Sequence, residues 1–176
     1  LPSYVASTEE FNTGVVGGSW ATGGSLNTAR ESLGGTGVST AALAFGGGST
    51  GVNVTELYNG TNWTEVNNLT TARANIQGNG TQTATLAFGG YTGSQTAVTE
   101  LWNGTNWTEV NDLNTARYSP GGAGTSTAGL AFGGAAPVKN ETELWNGTNW
   151  TEVNNLGTAR YGAAGAGTST AGLAFG

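Results

Sequence analysis

Large and small side chains alternate with a period of two in short bursts along this chain. Over 127–132 the order is Thr127, Ala128, Gly129, Leu130, Ala131, Phe132, so Leu130 and Phe132 share one face and Gly129 and Ala131 the other. The pattern predicts a strand, and its Leu-Ala-Phe-Gly ending recurs from Leu43, Leu86 and Leu173, in the last of these closing the chain. Further strands are predicted over 98–102 and 107–110, joined by Asn103-Gly104-Thr105-Asn106. Asn-Gly between apolar runs is a strong hairpin signal, and it returns at Asn59-Gly60 and Asn146-Gly147. The Gly/Ala/Ser/Thr stretch 118–124 reads as one more strand, so each unit has four, labelled a (118–124), b (127–132), c (98–102) and d (107–110) after the copies that show them best.

These strands belong to a repeat with four ordered landmarks. Thr-Glu and a bulky pair come first (Glu9, Glu56, Glu100, Glu143), then a tryptophan (Trp20, Trp63, Trp107, Trp150), then Thr-Ala-Arg (Arg30, Arg73, Arg117, Arg160), then Leu-Ala-Phe-Gly. The arginines are spaced by 43, 44 and 43 residues. A period of this size, built from short strands and frequent turns, falls among the β-propellers. Blades stacked face to face would seat the large face of one strand b on the small face of the next blade. The chain starts with strands c and d of a unit (4–26) and stops with strands a and b (160–175). The expectation is therefore an all-β small propeller of four four-stranded blades in one domain, 1–176. Its blades are 30–66, 73–110, 117–153, and a composite of 160–176 with 1–26, closed by the N-terminal c and d strands pairing with the C-terminal a and b strands so that no edge is left open. A monomer is favoured; a larger ring shared by two chains and an open β-solenoid are the alternatives.

The residues resemble the kelch repeat family of propellers. The double glycine after strand b (Gly46-Gly47, Gly89-Gly90, Gly133-Gly134), the Glu followed by an aromatic in strand c, the Trp opening strand d and the downstream Arg stand in kelch order over the whole chain. The units are shorter than typical kelch repeats, and the first has a longer connection, 13–19, in place of Asn-Gly-Thr-Asn. The Asn-Gly-Thr-Asn-Trp-Thr-Glu wording also looks like repeat arrays in phage tail and fibre proteins. That likeness implies an extracellular or virion-surface setting.

Composition narrows the chemistry. Only 9% of residues are charged and 32 are glycine, so turns are dense and long helices are not expected. The net charge of -6 argues against nucleic acid, which calls for a basic patch. No apolar run reaches the ~18 residues of a membrane-spanning helix, and no charged-then-apolar leader opens the chain. With no Met, Leu1 is not expected to be a translation start, and the chain reads as a processed product or a piece of a longer one. With no His and no Cys, disulfides, Cys-based metal sites and Ser-His or Cys-His dyads are ruled out. No cofactor or metal is expected, nor is an enzyme. The carboxylate clusters Glu9-Glu10 and Glu141/Glu143 leave a glycan hydrolase as the third reading.

Two roles compete for Arg30, Arg73, Arg117 and Arg160: an anion-binding ring, or buried ion pairs with Glu9, Glu56, Glu100 and Glu143. The packing role is preferred because even the divergent first unit keeps the slot. The tryptophans are likewise read as packing residues before sugar platforms. The Asn-x-Thr sequons at Asn59, Asn62, Asn103, Asn106, Asn146 and Asn149 are the hairpin itself, so glycosylation would follow only in a eukaryotic host. Units differ most just after each arginine and in the b-to-c connections 48–54, 91–98 and 135–141. Antiparallel a and b strands bring both to one face, and loops on a rigid scaffold are where binding resides. The candidate ligand face is Glu31, Asn75, Gln77, Tyr91, Tyr118, Ser119, Lys139 and Tyr161. The expected function is a binding module contacting a host glycan or surface protein, with a structural spacer as the alternative.

Overall fold

The computed structural model describes residues 4–12 and 18–176. Of the 13–19 connection, residues 13–17 lie outside the described residues. The described chain is all β: sixteen strands and no helix. Three antiparallel sheets of four strands follow one another. The first holds β3 (Gly34–Val38), β4 (Ala41–Phe45), β5 (Thr55–Tyr58) and β6 (Trp63–Val66). The second holds β7 (Gln77–Thr81), β8 (Ala84–Phe88), β9 (Thr99–Trp102) and β10 (Trp107–Glu109). The third holds β11 (Gly121–Gly124), β12 (Gly129–Phe132), β13 (Thr142–Trp145) and β14 (Trp150–Val153). They are preceded by a two-stranded sheet, β1 (Glu9–Asn12) with β2 (Ser19–Thr22), and followed by another, β15 (Ala164–Gly167) with β16 (Gly172–Phe175). We call the full sheets blades 1 to 3 and the outer pairs half-blades.

The alternation along strand b builds the contact between blades. Phe45 reaches across to Gly78, where an added Cβ would stand 2.5 Å from the ring. Phe88 lies the same way over Gly122, and Phe132 over Gly165. A tryptophan from the next strand d then covers the first two rings. Trp107 packs edge-on against Phe45 at 5.1 Å, and Trp150 against Phe88 at 5.1 Å. Each indole also donates to the threonine opening the preceding strand c, Trp107 to Thr55 at 3.0 Å and Trp150 to Thr99 at 3.1 Å. The cores therefore lie between blades: Leu43, Phe45, Leu69, Ile76, Ala87, Trp102 and Trp107 in one, and Leu86, Phe88, Leu113, Ala131, Trp145 and Trp150 in the next. Burial of each large side chain is worth about 1.5–3 kcal/mol.

The double glycines are where the next blade's backbone docks. Gly47, Gly90 and Gly134 each donate to the carbonyl of the following Arg73, Arg117 and Arg160, at 3.0, 2.9 and 2.8 Å. Gly46 sits at φ +66°, and a Cβ there would lie 2.6 Å from the Arg73 carbonyl oxygen, so only glycine serves.

The innermost strands pack in sequence, β3 on β7, β7 on β11 and β11 on β15. The strand pairing expected between the two ends is not made: β1–β2 and β15–β16 remain separate sheets, and β15 does not pack on β3 as β3 packs on β7. The β1–β2 half-blade instead holds its place beside blade 1, where the Tyr58 hydroxyl donates to the Glu10 carboxylate.

Candidate functional site

Strand a starts at Gly121, three residues later than the sequence pattern suggests, and β3, β7 and β15 begin equally far after their arginines. The cause is a bend two residues after each arginine. Ser32, Asn75 and Ser119 have φ of 53°, 52° and 49°, and Gly162, in the same slot, has 65°. A left-handed backbone at three non-glycine residues is held by hydrogen bonds running from blade to blade. Asn75 N–H donates to the Ser32 carbonyl at 2.8 Å, Ser119 to Asn75 at 2.9 Å and Gly162 to Ser119 at 2.9 Å. This ladder of four linked residues lies on the side where the b-to-c connections turn. Ala74 and Tyr91 exchange both backbone hydrogen bonds, at 3.0 and 2.8 Å, and Ala135 donates to Tyr118 at 2.9 Å. Ring-to-ring, Tyr91 and Tyr118 meet edge-on at 5.7 Å.

The remaining residues of the expected face are distributed unevenly. Glu31 is exposed, and its carbonyl accepts from Gly48 at 2.8 Å. The Glu31 carboxylate beside Tyr4 holds the phenol above its usual pKa. Tyr161 is 62% exposed. Lys139 is buried, because its backbone joins two blades, donating to Gly134 and accepting from Arg160, both at 2.9 Å. Gln77 stands on β7, facing a polar cavity of about 310 Å³ lined by Thr36, Asn79, Ala123, Ala166 and the glycines of β3, β7, β11 and β15.

The arginines lie elsewhere, inside the blades. Arg30 pairs with Glu56, Arg73 with Glu100 at 2.8 Å and Arg117 with Glu143 at 2.7 Å, all buried. Each glutamate also accepts from the residues that lead into the arginine: Asn27 for Glu56, Thr70 and Thr71 for Glu100, Asn114 and Thr115 for Glu143. Small Ala44, Ala87 and Ala131 stand opposite the glutamates and leave room for the guanidinium. Burial works to raise the Glu56 carboxyl, but the bonds from Arg30 and Asn27 outweigh it and leave the group below its usual pKa. At Arg73 burial prevails over the pull of Glu100 and lowers the guanidinium. Arg160 and Glu9 form no ion pair among the described residues; Arg160 instead donates to the Gly176 carbonyl at 3.0 Å.

The ladder was not visible in the sequence, where only one of its four slots carries glycine. The threonines that receive the indoles were read only as strand residues. Compared with known proteins, the chain matches no family model and no curated sequence.

Proposed function

We propose that the chain is a non-catalytic recognition module, a kelch-like propeller of a phage fibre or other surface protein that contacts host glycan or protein through one face. In this reading the outstanding blade is completed when a β1–β2 half-blade and a β15–β16 half-blade share one sheet. The observation that carries the proposal is the ladder. A constant, left-handed backbone slot recurs in every unit and presents Ser32, Asn75, Ser119 and Gly162 in turn, beside the exposed Glu31 and Tyr161 and the Tyr91–Tyr118 pair. Residues held outside the usual backbone regions persist where the surroundings over-determine them, and they cluster at functional sites. Aromatic rings with neighbouring amide and hydroxyl groups suit the apolar faces and hydroxyls of sugars.

The Glu141/Glu143 pair lends hydrolysis no support. Glu143 is tied to Arg117, Asn114 and Thr115. Glu141 is held below its usual pKa, first by its own backbone amide and then by Lys139 and Arg117, whereas a general acid needs a raised value. The test is binding of the purified protein to a glycan panel and to host cells. Saturable binding that disappears in the Tyr91→Ala/Tyr118→Ala/Tyr161→Ala variant, with unchanged circular dichroism, is the expected result. Binding unaffected by the triple variant, or turnover of a polysaccharide, removes the proposal.

A further inference from the structure

The contacts that join consecutive blades are left half-made at both ends of the array. Trp63 carries the indole that Trp107 and Trp150 use to reach a threonine, yet its Nε1 is buried without a partner. Thr142 occupies the slot of Thr55 and Thr99, which receive those indoles, and its Oγ1 is likewise buried without a partner. Gly35 is the seat equivalent to Gly78 and Gly122, but no aromatic ring lies within 4 Å of its added Cβ. The side chains that would fill the places at Gly35 and Thr142 are out in solvent: Phe175 is 52% and Trp20 67% exposed. Between β1 and blade 1 runs a largely apolar groove of about 630 Å³, lined by Phe11, Trp20, Val38, Leu43, Tyr58 and Trp63.

Three blade-to-blade steps, each with a phenylalanine seated over a facing glycine, carry β3 to β15. Were each a quarter turn, β15 would lie against β3 as β3 lies against β7, and it does not. The ring is therefore left open between β15 and β3. Copies of a four-unit chain close only in multiples of four blades, so the next closed ring holds eight and is built by two chains about a two-fold axis.

We propose that the groove beside β1 receives the β15–β16 hairpin of a second copy of this chain, and that each joint completes a recognition face with residues of both copies. The proposal rests on the propeller reading above. The register follows from β4 on β5, where Ala44 faces Glu56 and Phe45 faces Thr55: Ala174 faces Glu9 and Phe175 faces Thr8. Arg160 then meets Glu9, Trp20 reaches Thr142, Trp63 reaches Thr8, and Phe175 settles on Gly35. The ladder continues from Gly162 of one chain to Ser32 of the other, bringing Tyr161 and Glu31 together across the joint.

The chain has no cysteine, so engineered ones report cleanly. Chains carrying Glu9→Cys alone and Ala174→Cys alone are mixed and oxidised. Antiparallel partners lie within disulfide reach. A mixed disulfide at twice the chain mass, formed by neither variant alone nor by Glu10→Cys with Ala174→Cys, is expected. A Glu9→Cys/Ala174→Cys double variant that cross-links within one chain, or no cross-link at all, overturns the proposal. Because Glu9→Cys removes a joint residue, hydrogen exchange of the unmodified protein is the second measurement. Amides of β1 and β16 should slow as concentration rises; exchange independent of concentration rejects the second copy. A dimer that binds no glycan would keep the joint and remove the recognition role, and a glycan-binding monomer the reverse.

Discussion

Replacing Arg73 and Glu100 singly and together tests the internal logic of a blade. Both are fully buried and joined at 2.8 Å, so removing either strands a charge in the interior, which costs about 3–5 kcal/mol. The two losses are unequal. Arg73→Met leaves the Glu100 carboxylate with the Thr70 amide at 2.7 Å, the Thr70 hydroxyl at 2.8 Å and the Thr71 amide at 3.3 Å. Glu100→Leu leaves a guanidinium whose remaining contact is the Ala87 carbonyl at 3.4 Å, and it also orphans those donors. Thr70 is exposed and Thr71 half-buried, so each of these donors can turn to water and its loss adds no more than about 1 kcal/mol. We therefore expect about 3 kcal/mol for Arg73→Met and about 4–6 kcal/mol for Glu100→Leu, the latter a large share of the stability of a typical domain, ~5–15 kcal/mol. The double variant removes the stranded charge but keeps the orphaned Thr70 and Thr71 donors, so it should fall below the sum and below Glu100→Leu alone. Urea unfolding followed by tryptophan fluorescence measures all three. Arg73→Met costing as much as Glu100→Leu, or additive losses in the double variant, would show that the glutamate does not anchor the turn leading into the arginine.

Other expectations follow from the same contacts. The Glu56 carboxyl has a lowered folded-state pKa, so its contribution is present above the unfolded carboxylate value of about 4.3 and is lost as pH falls through the folded value. In acid titrations of stability, Glu56→Gln should flatten the fall below about pH 4, and an unchanged slope would refute it. Gly78→Ala places a methyl 2.5 Å from the Phe45 ring and should cost about 1–3 kcal/mol in urea unfolding. Trp107→Phe loses the bond to Thr55 and part of the cover over Phe45, for about 1–3 kcal/mol, with the Thr55→Val/Trp107→Phe cycle isolating the hydrogen bond.

Much of the strand layout was legible because its causes are local. Asn59, Asn103 and Asn146 each close their hairpin by accepting from the two amides that follow at 2.9–3.0 Å, and this chemistry is written in the tetrapeptide itself. The period-two alternation of Leu130 and Phe132 against Gly129 and Ala131 sets which face each strand turns outward, whatever lies beyond it. The candidate face was legible only in outline. Tyr91 and Tyr118 do meet, but Lys139 lies buried between blades, a position set by backbone bonds that its charge does not announce.

From the sequence alone come the repeat, its strands, their faces and the turns between them, because each depends on residues within reach of one another along the chain. The left-handed slot at Ser32, Asn75 and Ser119 was decided by the tertiary structure, since bonds from neighbouring blades hold it and no glycine marks it. The fate of the two ends was decided there too: β15 packs on β11 while β1–β2 and β15–β16 stay separate sheets, and this depends on packing between residues far apart along the chain.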